Sequence, residues 1–177
     1  MPVEQVEKFS SDRLIASRLC AEDFSILCQM HQDSAVMATL NGIRSDEQTQ
    51  QYLYKNLEHW QRYGYGLWIF RDTDSNFVGR GGLRKIYIDD NEEIELAYAL
   101  MPAYWGKGLA TEMAKAILTV GFEYLDIPKV VCFTLTTNQA SQRVMQKVGF
   151  QYECNIIHAN LPHVLYRLSI TDWQRHK

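Results

Sequence analysis

The sequence predicts an α/β sheet domain built around a strand, a glycine turn, a helix and a further strand. Three observations carry this expectation. From Glu92 to Met101, Ile94, Leu96, Tyr98 and Leu100 alternate with Glu95, Ala97 and Ala99, the period of a strand with one strongly buried face. Pro102 to Gly108 then leads into a stripe of Leu109, Met113, Ala116, Ile117, Val120 and Tyr124, whose spacing keeps one face of a long helix apolar. Lys129 to Leu135 follows and is apolar on both faces, as in a covered central strand.

The flanking segments supply the other elements. Arg13 to Leu19 reads as a short opening strand, and Ala21 to His31 as a helix with Phe24, Leu27 and Cys28 on one face. Asp46 to Tyr63 repeats the helical pattern through Tyr52, Leu53, Leu57 and Trp60, and Gly64 and Gly66 mark its end. Leu67 to Asp72 and Phe77 to Tyr87 read as two strands around the turn Asp74-Ser75-Asn76, and Asp89-Asp90-Asn91 forms the next turn. Gly79, Gly81 and Gly82 fall inside a strand, which indicates a bulge or close backbone contact. Asn138 to Val148 is a short helix closed by Gly149, and Gln151 to Ile157 and Val164 to Ile170 are the final strands. A chain of 177 residues without repeats or a Pro/Gly/Ser-rich linker fits one domain.

Composition narrows the class of function. Apolar residues make up 46% and charged residues 22%, and no stretch approaches the ~18–20 apolar residues needed to span a bilayer. Met1 to Asp12 is polar, without the apolar core of a secretory signal, so the cytoplasm is the expected compartment. Basic and acidic residues are interleaved at a net charge of -3, which gives no footing to a nucleic-acid or membrane surface. Cys20, Cys28, Cys132 and Cys154 are far apart, and no carboxylate or cysteine cluster joins His158 and His163, so neither a disulfide framework nor a metal site is expected. Cys132 reads as a small core residue.

The most informative segment joins the buried strand to the long helix: Trp105-Gly106-Lys107-Gly108-Leu109-Ala110-Thr111. The first amides of a helix have no carbonyl partners, and their positive end attracts phosphate oxygens. Glycine at 106 and 108 lets the backbone approach a ligand closely, Ala110 preserves that clearance, and Lys107 adds a cation at the rim. A tight turn before an ordinary helix would need no more than these glycines. The segment contains neither the full P-loop nor the full dinucleotide fingerprint.

With Glu112 included, this segment resembles the acetyl-CoA pyrophosphate loop of the GNAT superfamily of N-acetyltransferases, in particular its RimJ/RimL-like branch. The resemblance extends over nearly the whole chain: Ser11-Asp12-Arg13-Leu14-Ile15, His59-Trp60 with Gly64 to Trp68, Phe77-Val78-Gly79 through Gly82-Leu83, Glu95-Leu96-Ala97-Tyr98, and Asn138 through Gly149-Phe150. It implies the GNAT fold, a mixed and largely antiparallel sheet of six to seven strands with about four helices, whose family strands 4 and 5 splay apart. It further implies acetyl-CoA as co-substrate, no metal, an amine acceptor (a protein N-terminus or a small molecule) and a monomer or homodimer.

The same resemblance assigns roles. Tyr98, Ala99 and Leu100 would offer backbone hydrogen bonds to the pantetheine arm, Trp105 to Thr111 would wrap the pyrophosphate, and Asn138 would contact the arm, although its side chain could also simply cap a helix. Trp105 stands where many relatives carry Gln or Arg. Glu95 holds the position of a general base for an attacking amine; alternatively it pairs with an arginine or orients a water. A carboxylate of ordinary pKa, ~4.3, is a weak base, so the role needs burial. The usual tyrosine acid is replaced by Met145, and Ser141 is the hydroxyl that would protonate the leaving thiolate in its stead, unless solvent does so.

The acceptor pocket is expected between the two N-terminal helices, the segment Met37 to Arg44 and the final strands. Asp89, Asp90, Glu92 and Glu93 could attract a cationic amine or form a solvated turn, and Trp60, Tyr63, Tyr65 and Trp68 could line a pocket or fill the core. A catalytically silent acyl-CoA-binding module and a nucleotide-binding enzyme are the rival readings.

Overall fold

In the computed structural model, which describes residues 6–176, eight strands form one sheet in chain order, except that the last two exchange places. Met1 to Gln5, part of the polar opening segment, and Lys177 lie outside the described residues. The strands are β1 (Lys8–Ser10), β2 (Ile15–Arg18), β3 (Leu67–Arg71), β4 (Phe77–Ile88), β5 (Asn91–Leu100), β6 (Lys129–Leu135), β7 (Gln151–His158) and β8 (Leu161–Ser169). The helices are α1 (Phe24–His31), α2 (Ser34–Met37), α3 (Asp46–Tyr63), α4 (Leu109–Thr119), α5 (Gln139–Lys147) and α6 (Ile170–His176). Seven of the strands answer to the expected ones; β1, α2 and α6 are additional.

Local chemistry fixes the ends of these elements. Ser45 and Gln48 cap α3 reciprocally, at 3.2 and 2.9 Å, satisfying two amides that the helix cannot bond itself. At its other end Gly64 takes the left-handed conformation, φ 74°. Asp89 and Asp90 both have positive φ, 48° and 65°, and turn β4 into β5 through a two-residue hairpin. Ala159 and Asn160, at 50° and 63°, do the same between β7 and β8. The long helix after the glycine turn is regular to Thr119 and widens into a π turn over Val120–Tyr124.

Close backbone approach explains the glycines of β4. A Cβ on Gly79 would lie 2.2 Å from the Ala99 carbonyl oxygen, and one on Gly82 would lie 2.1 Å from that of Gly66. Only a residue without a side chain fits between these strands.

The sheet separates the helices into two layers. Arg80, Gly82 and Arg84 of β4 stand opposite Ala99, Ala97 and Glu95 of β5, so all six share one face. Ala99 packs there against Met30, Val36 and Met37 of α1 and α2. Gly79, Gly81 and Leu83 share the other face with Leu100, Tyr98 and Leu96. On that face α4 presses closely, with Ile117 Cδ1 2.9 Å from where a Gly81 Cβ would be.

Every neighbouring pair is antiparallel except β5 and β6, which run parallel and are paired at Glu95 opposite Val131. β6 meanwhile pairs with β8 along its whole length. The sheet therefore opens between the C-terminal half of β5 and β6, as the splay of family strands 4 and 5 anticipates; the extra β1 shifts the numbering by one.

Candidate active site

A cavity of about 700 Å³ occupies this opening. Its walls are Glu95 to Leu100 of β5, the glycine turn, Cys132 to Thr134 of β6, the inner face of α5, and Ala35, Val36, Thr39 and Leu40 from α2 and beyond. Of the residues singled out from sequence, Glu95, Tyr98, Ala99, Leu100, Trp105, Gly106, Gly108, Leu109, Ala110, Thr111, Asn138 and Ser141 all line it. Lys107 does not: its ammonium lies over the Tyr104 ring, 5.7 Å from the centroid, and its carbonyl accepts from Arg13 Nη1 at 2.9 Å.

The backbone of β5 divides these roles further. Met101 N–H donates to Val78 O at 2.8 Å, so by the two-residue period the odd residues turn their amides and carbonyls toward β4. Ala99 is one of them, and its backbone is committed to β4 rather than facing the gap. Tyr98 and Leu100 face the gap. The Leu100 carbonyl, however, already accepts from Trp105 Nε1 at 2.8 Å. This indole bond braces the end of β5 against the glycine turn and gives Trp105 a structural task. Its own amide donates to Pro102 O at 3.1 Å and lies outside the row of open amides.

That row begins after Gly108, whose left-handed φ of 76° starts α4. The first helical bond runs from Glu112 N–H to Gly108 O at 3.1 Å, so the amides of Leu109, Ala110 and Thr111 precede any helical carbonyl. A Cβ on Gly106 would meet nothing within 4 Å and one on Gly108 only Arg13 Nη2 at 3.6 Å, so the approach to these amides is open. Glu112 anchors the turn from below, accepting from Ser11 Oγ at 2.6 Å and from Arg13 N–H and Nε at 2.8 Å each. Burial works against its charge, but these bonds outweigh it and hold the carboxyl below the usual range. Arg13 thereby ties the start of β2 to both the loop and the helix.

Asn138 caps α5, accepting from Ser141 N–H at 3.2 Å, while its Nδ2 donates to Thr134 Oγ1 at 3.0 Å. Ser141 Oγ lies 2.8 Å from the Tyr98 hydroxyl. Burial pushes the Tyr98 phenol up, so it keeps its proton throughout the physiological range. Sequence reading assigned only the backbone of Tyr98; the hydroxyl was missed because Ser141 is forty-three residues away in the chain. Met145 is fully buried core. Cys132 is buried as expected but also lines the cavity, and burial and then Glu95 raise its thiol pKa, leaving it a neutral wall.

On the opposite face, Glu95 is buried and accepts from Arg84 Nη2 at 3.3 Å. The arginine pairing considered from sequence is thus present, and the carboxylate still lines the cavity. Burial opposes the Arg84 charge, and Glu95 more than compensates. The acidic run beside the hairpin is no cation trap. Arg167 holds both Glu93 oxygens at 2.9 Å, Lys85 holds Glu92 at 2.7 Å, and Asp89 and Asp90 are spent on the turn. Trp60 and Trp68 are core. Arg143 and Lys147, one turn apart on α5, also line the cavity and were not singled out from sequence. Among the described residues no helix is long and apolar enough to cross a membrane, and no cluster of metal-ligating side chains occurs.

Comparison with known proteins agrees with this geometry. Residues 13–151 match the family described as "Acetyltransferase (GNAT) domain". The chain is 29% identical to the uncharacterized protein YkkB of Bacillus subtilis over 161 residues, covering 87% of this chain and 94% of YkkB. Among solved structures it resembles the ribosomal-protein-S5-alanine acetyltransferase of Vibrio fischeri (TM-score 0.77, 17% identity, 94% of this chain and 98% of that one). It also resembles the spermidine N-acetyltransferase of Vibrio cholerae, solved with CoA and spermine (TM-score 0.77, 16% identity, 93% and 99%). Because the family match runs from the start of β2 to the start of β7 and takes in the whole cavity wall of β5, the glycine turn and α5, the chain belongs to the GNAT family and is an acetyl-CoA-dependent acetyltransferase.

Proposed function

We propose that this protein transfers the acetyl group of acetyl-CoA to a primary amine by direct attack within a ternary complex. The observation that carries the proposal is the row of open amides at Leu109, Ala110 and Thr111 beside the unpaired, gap-facing edge of β5. The residues present fit the co-substrate. The amides and left-handed glycines would cradle its pyrophosphate, Tyr98 would bond its arm like an added strand, Asn138 and Thr134 would line its path, and Arg143 and Lys147 would meet its remaining negative charge. Acetyl-CoA supplies a thioester carbonyl activated for attack.

The chain's own groups then manage two protons. Glu95, directly or through water, takes the proton that the attacking nitrogen gives up. Ser141 Oγ–H protonates the departing sulfur and regains its proton from solvent, to which Glu95 releases its own, while the neutral Tyr98 hydroxyl 2.8 Å behind it holds the serine in place. One proton leaves the amine and one reaches the thiolate, so the chemistry balances. An amine of pKa ~10.4 depends on the base more than an α-amine at ~7.7–8.0.

The names of the Vibrio relatives offer a protein N-terminal alanine and a polyamine as acceptor classes. A cytoplasmic, RimJ/RimL-like enzyme suits the first. Calorimetric titration with acetyl-CoA, with ATP and NAD as controls, tests the donor site. Micromolar binding of acetyl-CoA alone is expected; failure to bind it removes the reading.

A further inference from the structure

The α1–α3 side of the cavity carries more positive charge than its own structure uses. Arg80 and Arg84 project from β4 on the face of Glu95, and both line the cavity. Arg44, from the segment before α3, lies with Arg80 around one ring: each guanidinium carbon is 5.0 Å from the Tyr52 centroid. Among the described residues no carboxylate pairs with Arg44 or Arg80, and Glu95 alone pairs with Arg84. Glu93, next on the same face, has both oxygens taken by Arg167.

Three buried polar atoms in this cluster have no hydrogen-bond partner: Arg80 Nε, Arg84 Nε and the Tyr52 hydroxyl. Arg80 is only 4% exposed. A guanidinium so enclosed, with an unmet donor and no carboxylate bonded to it, is costly to hold unless something anionic arrives to meet it. Burial and the neighbouring Arg84 and Arg44 both work against its charge, which only Tyr52 and Glu95 support. His31 offers no negative partner. Arg44 Nη1 can only donate to His31 Nε2, at 3.3 Å, so the ring proton sits on Nδ1 and goes to Thr49 Oγ1 at 2.9 Å.

We infer that the acceptor amine of this enzyme carries a carboxylate, received by Arg80 and Arg84 on the α1–α3 side of the cavity, with Arg44 adding positive charge behind them beside Tyr52. The inference rests on the acetyl-transfer reading and names its substrate class. A guanidinium fork matches a carboxylate bidentately, and the nearby wall of Ala35, Val36 and Leu40 leaves the rest of the acceptor apolar. The amine end then points toward Glu95 and the splay. A polyamine, carrying only positive charge, meets like charge here and is disfavoured.

The test uses the full chain, with acetyl-CoA binding measured first by calorimetry. CoA release is then followed with matched acceptors: free amino acids against their carboxamides, the peptide Ser-Glu-Ala-amide against Ser-Gln-Ala-amide, and spermidine. The expected result is bound acetyl-CoA and a kcat/KM at least ~10-fold higher for the carboxylate member of a pair. The amino-acid pairs report an α-carboxylate and the peptide pair an acidic side chain. Arg80→Gln should raise KM for the preferred acceptor at least ~10-fold and erase the preference, with acetyl-CoA binding intact; Arg44→Gln, at a half-buried position, repeats the test if the first variant fails to fold. Bound acetyl-CoA with no advantage for any carboxylate, or with spermidine preferred, overturns the inference and leaves acetyl transfer standing. Failure to bind acetyl-CoA or turn over any amine removes the acetyl-transfer reading itself, and the inference with it.

Discussion

The Tyr98 hydroxyl and Ser141 Oγ face each other at 2.8 Å across the gap between β5 and α5, joining the splayed edge to the helix that Asn138 caps. In the proposed mechanism the pair stands in for the tyrosine acid whose place Met145 takes. Ser141→Ala should lower kcat roughly 10- to 100-fold with little change in the KM for acetyl-CoA, and Tyr98→Phe should lower it less. Steady-state kinetics decide this: full kcat in both variants would mean that solvent protonates the thiolate.

Glu95→Gln removes the proposed base but keeps a neutral side chain of the same shape beside Arg84. We expect kcat/KM to fall about 100-fold at neutral pH, with partial recovery as pH approaches the pKa of the acceptor. The loss should be larger for a lysine-type amine than for an α-amine. An unaltered pH profile would assign Glu95 to holding Arg84 alone.

Gly108→Trp should abolish acetyl-CoA binding, because φ is 76° at this position and a large side chain would stand over the open amides of α4. Calorimetry checks it, with a thermal melt to show that the variant folds. Normal affinity in a folded variant would remove the loop assignment.

His31 links stability to pH. Burial, and then the charges of Arg80 and Arg44, lower its pKa from 6.5 to about 3. Between those values the unfolded chain binds a proton that the folded chain refuses, so stability falls as pH falls, by at most ~1.4 kcal/mol per unit from this group. Urea midpoints at pH 7 and pH 5 should therefore differ more in the native protein than in His31→Gln. Equal differences would show that the imidazole contributes nothing to the slope.

Much of the fold was legible because its signals are local. The alternation of β5, the stripe of α4 and the paired aspartates of the β4–β5 turn each lie within one short window. β1 was missed because three residues are too few to show a period. The β7–β8 hairpin was cut short because Ala159 takes a positive φ that alanine rarely adopts and so gives no turn signal. The glycine turn that lines the cavity was readable for the same reason as the helices: it is contiguous. The α1–α3 side was legible only in part: Glu95 and the segment Met37 to Arg44 were expected at the site, and Glu95, Thr39 and Leu40 line the cavity, whereas Tyr52 of α3 and Arg80 and Arg84 of β4 come together only when the sheet folds against α3. Trp105 lines the cavity, but sequence could not show that its indole nitrogen also reaches back five residues to Leu100.

The lone pairing of Glu95 with Val131 makes the sheet two plates that share a single rung. β1 to β5 form one plate and β6 to β8 the other, and the connection through α4 is the only covalent strap between them. A molecule that hydrogen-bonds the bare edge of β5 while packing on β6 becomes the missing part of the ladder. In the proposed binding mode the co-substrate would stitch the seam between the two plates, so that occupying the site and completing the sheet would stabilise the protein together.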